Sequence, residues 1–513
     1  MGSVKALLGL EGRNRLPRHD AARWGSPGVR RATNFLRGGA SASHPLGLHA
    51  GADPAALGLE LGPALRTGFG LVQVLGMTAL NSLDAIAAGA LGILGTPWRI
   101  ESVSLDQAKR LVTIRLGFPP GSKFAHPDTQ ELFVAHDTEE RRWRHMNFFQ
   151  YACELTAPLP RVGRGGKDGP PVRTIHVPWA RPGSGFTLYF EAVALHFLQS
   201  GMTVAEAAET VGEHDNRLWR LVERTTTAAL AELDLSEVTT LCLDETSTRK
   251  GHNYITVASD PKAVAVAKKD GSVRYRARVV AVEEGRDSGS VAKVAQFLEK
   301  HGCKADQIKT VAKDMSAAYK KGVDEQFPKA EQVVDPFHAV QLVGEAFDKI
   351  RRREHRENPE LFAGSLWAWR RREDRLSEEE AAIRSKLLRN RRLKTGRACM
   401  INECFREIIQ ITDPIQFEKY LGQWYGWARR SKLPEMKQAA GTIKDHWNEL
   451  LAFAKTRLSN AAAEALNGII QTVKRKSRGF RLIPHFRAMI FLIAGNLTFD
   501  LPSVFPDPYV NPQ

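Results

Sequence analysis

The sequence predicts a multidomain α+β protein: an α/β core interrupted by an all-helical insertion, preceded by a helix-turn-helix and a small β-rich module. Three observations predict it. The chain has 513 residues, too many for one ordinary hydrophobic core. Residues 236–336 alternate short apolar runs with amphipathic stretches. Residues 337–458 read almost entirely as long, charged helices.

In chain order, residues 1–76 are rich in Gly, Ala and Arg, with scattered Pro and no persisting period. They read as a disordered basic extension, and Met77 opens a more protein-like segment. Leu71 to Gly95 carries one charge, Asp84, but Gln73, Thr78, Asn81 and Ser82 break it up, so an amphipathic or buried helix is favoured over a membrane span. The five cysteines form no C-x-x-C pair and no signal pattern is present. That usage fits reduced thiols and a cytoplasmic, nucleoid-associated protein with no membrane partner.

Residues 77–183 form the β-rich module. Trp98–Leu105 and Arg110–Leu116 alternate as strands. Arg141–Phe149 mixes basic and aromatic residues: either a phosphate-and-stacking surface or an ordinary strand with Trp143 and Phe149 in the core. Residues 184–235 are helical. Thr203 with Glu206 makes a capping box, Gly212 a turn, and Asp215–Arg224 a second helix, the spacing of a helix-turn-helix. Asn216, Arg217 and Arg220 would face a DNA groove or its phosphates. A plain helical hairpin linking two domains is the alternative.

Residues 236–336 supply the core. Val238–Leu243, His252–Ala258 and Tyr275–Val282 read as strands, with a hydrophilic hairpin turning at Asp270-Gly271. A helix capped at Asp287, the strand Ile308–Lys313, the helix Ser316–Gln326 and the strand Glu331–Val334 follow. Three strands, helix, strand, helix, strand is the ribonuclease-H-like order. The insertion 337–458 carries three basic clusters, at Arg351–Arg353, Arg370–Arg372 and Arg389–Lys394, among Trp367, Trp369, Trp424, Trp427 and Trp447. They read as solvated faces over core tryptophans or as a DNA-facing surface. Residues 459–500 close the core with two helices, and 501–513 is a Pro-rich tail.

Two aspartates, Asp244 and Asp314, end apolar strands, and Glu464 sits in the Ala-rich helix after Ser459. The gap between Asp314 and Glu464 requires a folded insertion, which 337–458 provides. Three carboxylates of this kind suit Mg²⁺, with Mn²⁺ the alternative, and in-line phosphoryl transfer. Asp335 is a rival or auxiliary for the second position. His338 would contact a phosphate or serve structurally. The net charge of +16 favours a polyanionic partner, DNA. Lys474, Arg475, Lys476 and Arg478 follow Glu464 as further candidate DNA contacts.

Taken together, Asp244-Glu-Thr-Ser247, Arg249-Lys-Gly-His252, Gly285-Arg-Asp287, Lys313-Asp-Met-Ser316, Val334-Asp-Pro-Phe-His338, Asn460–Asn467 and Gly479-Phe480 resemble the DDE transposases. The bacterial insertion-sequence family ISL3 is the nearest, and Val177–Gly183 resembles it too. The resemblance implies a metal-binding catalytic triad of Asp244, Asp314 and Glu464. It also implies cleavage at element ends to expose 3′-hydroxyls, strand transfer into target DNA, and a homo-oligomer joining two ends. Members usually carry a zinc ribbon in the β-rich module. Here Lys123–Thr129 and Arg161–Lys167 hold no cysteine, and His126 with Cys153 cannot make a four-ligand site. No structural zinc is expected. An inactive DNA-binding regulator and a structure-specific nuclease of the same fold are the alternatives.

Overall fold

The computed structural model describes residues 82–164, 169–248, 253–267, 273–390, 392–458 and 461–504. The expectations for residues 1–76, Arg249–His252, the Asp270-Gly271 turn, Ser459-Asn460 and most of the tail lie outside the described residues. After a short helix α1 (Ser82–Ala90), strands β1 (Arg99–Asp106), β2 (Leu111–Gly117), β5 (Asp137–Phe148) and β6 (Tyr151–Val162) form a sheet in the order β1-β2-β6-β5. A short β7 (Arg173–Thr174) joins β6, and β3 (Lys123–Ala125) pairs with β4 (Leu132–Val134) as a separate hairpin. No helix among the described residues is long and apolar enough to cross a membrane.

An aromatic cluster closes this module. Trp98 meets Trp179, Phe118 and Phe124 with ring centroids 4.9, 5.2 and 5.6 Å apart, and Trp143 meets Trp179 at 5.5 Å. These are the edge-on and tilted contacts aromatic rings prefer. Trp143 is therefore core, as one reading expected. Phe149 is not: it is 82% exposed at the β5–β6 turn.

Helices α2 (Leu188–Gln199), α3 (Val204–Val211) and α4 (Asp215–Ala231) follow. Thr203 and Glu206 form the expected capping box, and Gly212 takes the left-handed conformation (φ 71°) that ends α3. The second helix runs well past Arg224, because Thr225, Thr226 and Leu230 continue its packing face.

The second sheet comprises β8 (Thr240–Ser247), β9 (Tyr254–Ala267), β10 (Val273–Glu284), β11 (Thr310–Lys313) and β12 (Glu331–Val334), in the order β10-β9-β8-β11-β12. The first three are antiparallel neighbours, and β11 lies parallel to β8 and β12. β9 and β10 are longer than their apolar cores suggested. Helices α5 (Ser288–Lys300) and α6 (Ala317–Gln326) cover one face, where Leu241, Leu243 and Val280 pack with Val291, Leu298 and Val323. On the other face, Ile255, Val257, Val279 and Val282 share a core with α2, α3, α4 and the closing helices α14 (Ala461–Lys476) and α15 (Ile483–Ala494). The helix pair joins this core through α15, which lies against both α4 and β10.

Between β12 and α14 stand α7 (Pro336–Glu357), α8 (Leu366–Arg370), α9 (Glu378–Arg389), α10 (Lys394–Ile409), α11 (Pro414–Arg430), α12 (Pro434–Asp445) and α13 (Trp447–Thr456). Trp369 and Trp424 are core, whereas Trp367 is 53% exposed. The first two basic clusters are largely paired with carboxylates of the same chain. Arg351, Arg352 and Arg370 converge on Asp348, Arg353 pairs with Glu435, and Arg371 with Glu380.

Candidate functional site

The strand registers set three aspartates side by side. Ala312 pairs with Cys242 across β11 and β8, so two residues further on Asp314 lies beside Asp244. Lys313 pairs with Val334 across β11 and β12, so one residue further on Asp335 lies beside Asp314. The Asp335 N–H continues that ladder by donating to the Lys313 carbonyl at 3.0 Å. Adjacent strands run ~4.8 Å apart, so Asp244, Asp314 and Asp335 form a row at the carboxyl ends of three neighbouring parallel strands. That edge is where open α/β sheets collect their ligands.

Asp244 does not end its strand. β8 continues to Ser247 because β9 pairs with it through Tyr254, while the β11 ladder stops at Cys242. The side chains of Leu241 and Leu243 enter the α5–α6 core, so Asp244 and Thr246 face the opposite side, toward α14. Glu245 alternates away and stands 3.9 Å from Arg286.

Helix α14 crosses β8 with a polar stripe of Glu464, Asn467, Gln471 and Lys474, three and four residues apart on one face. The Asn467 Nδ2 donates to Asp244 Oδ2 and the Gln471 amide to Thr246 Oγ1, while Lys474 Nζ donates to the Ser247 carbonyl at 2.7 Å. The sequence reading placed Asn467 in a motif but gave neither it nor Gln471 a role. Their spacing from Glu464 was the available signal.

Burial holds the Asp244 carboxyl above its ordinary range. The Glu245 N–H, the Asn467 amide and His338 oppose that rise, and Asp314 adds to it. Glu464 is pushed up by burial and then by Asp335 and Asp244, and it shares a hydrogen bond with Asp335. Asp335 itself is 2% exposed and caps α7, accepting from the Phe337 N–H. The structure therefore brings Asp244, Asp314, Asp335, Glu464 and His338 into one electrostatic neighbourhood.

Among the described residues, no three His, Cys, Asp or Glu side chains stand close enough together to hold a metal ion. The acidic and amide side chains of this neighbourhood offer hard oxygens, and Asn467 Oδ1 is buried with no hydrogen-bond partner among the described residues. Raised carboxyls and an unsatisfied amide oxygen make a cation favourable there, and oxygen-only donors fit Mg²⁺ or Mn²⁺.

Beneath the row, Lys313 is fully buried. Its Nζ lies 3.4 Å from Glu449 on α13, and Lys320 approaches the same carboxylate at 3.0 Å. His446 also hydrogen-bonds Glu449. This network ties the helical insertion to the strand that carries Asp314.

The candidate DNA contacts divide into two groups. Asn216, Arg220, Arg475 and Arg478 are exposed. Arg217 is half-buried: it pairs with Glu213 at 2.7 Å and lies over the Phe186 ring at 4.4 Å. Lys474 is held by Ser247, and Lys476 donates to the Gly201 carbonyl at 2.8 Å. In the β-rich module, His126 is fully buried, with Nε2 2.8 Å from the Pro171 carbonyl and Nδ1 accepting from the Asp128 N–H at 3.2 Å. Both ring nitrogens are satisfied by backbone.

Two family models match this chain. One, described as a transposase of the DDE ISL3 type, matches residues 241–490. The other, described as the helix-turn-helix domain of transposase family ISL3, matches residues 175–226. The chain is 27% identical over 355 residues to the transposase for insertion sequence element IS1001 of Bordetella parapertussis, covering 67% of this chain and 82% of that one. It is 25% identical over 405 residues to the transposase for insertion sequence element IS1557 of Mycobacterium tuberculosis, covering 72% and 85%. The matches span the helix pair and the carboxylate row alike, and the chain belongs to the ISL3 family of insertion-sequence transposases.

Proposed function

We propose that this chain cleaves insertion-sequence ends and joins their 3′-hydroxyls to target DNA, using Asp244, Asp314 and Glu464 in a ribonuclease-H-like core. The observation that carries the reading is the row of carboxylates formed by Asp244 within β8 and by Asp314 and Asp335 just past β11 and β12, with Glu464 on α14 in the same electrostatic neighbourhood. The β10-β9-β8-β11-β12 order, with its antiparallel and parallel halves, supports the fold assignment.

Asp244, Asp314 and Glu464 would hold Mg²⁺ or Mn²⁺, with Asp335 as an auxiliary. The chemistry such ions supply when bound is activation of the attacking oxygen and stabilisation of the leaving one. The chain's own contribution is placement. β8 and β11 fix two carboxylates on adjacent strands, Asn467 orients Asp244, and Asp335 holds Glu464. His338, on the first turn of α7, would contact a phosphate of the bound DNA. Asn216, Arg220, Arg475 and Arg478 would engage DNA phosphates or bases. A homo-oligomer would supply one active site per element end.

The test is a labelled duplex carrying the element's terminal repeat, incubated with Mg²⁺ and target DNA. The reading predicts 3′-end cleavage followed by joined products. Binding without cutting would establish the regulator alternative, and cutting without joining the nuclease alternative.

A further inference from the structure

Two phenylalanines stand exposed at the tip of the β5–β6 hairpin. Phe148 is 60% and Phe149 82% exposed, and their rings meet edge to face at 5.0 Å. Phe148 pairs with Tyr151, so Phe149 and Gln150 form a two-residue turn, and Phe149 has a φ of 53°. A tight hairpin favours glycine where φ is positive, because a Cβ there crowds the neighbouring carbonyl. The fold thus keeps a bulky ring at a position where glycine would be easier, and gains no burial from it. Neither core packing nor turn preference accounts for this pair; an outside surface that takes the rings does.

The surroundings say which surface. A register shift between His145 and Phe148 re-aims the end of β5. Buried Arg144 donates to Asn147 Oδ1 just before the tip, and to the Val211 carbonyl at 3.0 Å at the end of α3. Its guanidinium also lies 3.7 Å from Glu213. One side chain therefore clamps the hairpin end to the α3–α4 turn, and Phe148 follows Asn147 by a single Cα step of ~3.8 Å. Helix α4 begins just past that turn, with Asn216 and Arg220 exposed. On the hairpin's other side, the Ala152 N–H donates to the Arg110 carbonyl at 2.9 Å. Arg110 is exposed and makes no ion pair with the described residues, and its neighbour Lys109 pairs with Asp106 at 3.3 Å.

We propose that this hairpin is a wing that presses Phe148 and Phe149 into a base step of the duplex gripped by α4, entering from the minor groove, with Arg110 on the adjoining phosphate. The proposal rests on the DNA-binding reading above. Duplex DNA is favoured over a protein partner because the rings share their anchor with the helix-turn-helix and are flanked by a cation. Apolar wedges of this kind kink flexible steps, and stacking on aromatic rings tolerates any base.

The test is the double variant Phe148→Ala, Phe149→Gly. Glycine suits the turn, so its Tm is expected to equal or exceed that of wild type. Its affinity for a duplex carrying the element's end is expected to fall about tenfold or more at fixed salt, with the salt dependence unchanged. 2-Aminopurine stepped through the binding site should brighten at one step with wild type and stay dark with the variant. A folded variant with wild-type affinity and wild-type fluorescence overturns the wing alone, as does lost self-association with DNA affinity intact. A wild-type chain that binds no duplex overturns the DNA-binding reading, and the wing with it.

Discussion

The Asn467 amide donates from Nδ2 to Asp244 Oδ2, while its own carbonyl oxygen is buried without a partner among the described residues. A carboxylate can only accept, so the amide's orientation is dictated, and its oxygen is left without a partner. Residues that orient metal-binding carboxylates characteristically cost ten- to a hundred-fold in activity when removed. Asn467→Ala is therefore expected to lower end cleavage by about that factor while leaving the dissociation constant for terminal-repeat DNA unchanged. Cleavage rates and gel-shift titrations on the same preparation check both halves. An equal loss in binding would mean that the residue shapes the DNA surface instead.

Lys313 and Glu449 give a stability prediction. Removing one partner of a buried ion pair strands the other charge, at ~3–5 kcal/mol. Glu449→Gln, which leaves the fully buried Lys313 without its partner, is expected to destabilise the chain by about that much in urea unfolding, and Lys313→Met with Glu449→Gln by much less.

The same network sets a pH dependence. Burial pushes the Glu449 carboxyl up, but the hydrogen bond from His446 and the charges of Lys313 and Lys320 outweigh it, bringing it down to about 2. A carboxyl depressed in the folded state contributes stability above its ordinary value of 4.5, and that contribution is lost as pH falls toward 2. Glu449→Gln is expected to flatten the acid limb of a stability-versus-pH curve between those values. An unchanged limb would mean that other carboxyls control acid unfolding.

The β-rich module is held together by an aromatic core. Trp179 touches both Trp98 and Trp143, and truncating a buried tryptophan costs ~3–5 kcal/mol. Trp179→Ala is expected to unfold the module first, seen as loss of tryptophan fluorescence change before global unfolding. Treatment with a chelator is expected to leave the Tm of wild type unmoved. Stoichiometric zinc in the purified protein would contradict this account of the module.

Much of this was legible in the residues. Apolar runs ending in Asp244 and Asp314 located two strands, and the Thr203–Glu206 box and Gly212 located the helix pair. What was not legible depends on pairing between distant segments. The apolar run stops at Leu243, yet the polar residues Asp244–Ser247 stay extended because β9 pairs with them. That Asp335 lies level with Asp314 is a matter of register, which no single strand encodes. The sequence shows Lys313 only as the end of a strand, and Glu449, far along the chain, accounts for its burial. The sequence shows the charge of Arg217 but not the Phe186 ring over which it lies.

The most direct test of the central claim is the rate of 3′-end cleavage of a terminal-repeat duplex in Mg²⁺ by Asp244→Asn, Asp314→Asn and Glu464→Gln, each shown first to bind that duplex as wild type does. The account predicts that all three bind and none cuts. Cleavage at the wild-type rate by any one of them would contradict it.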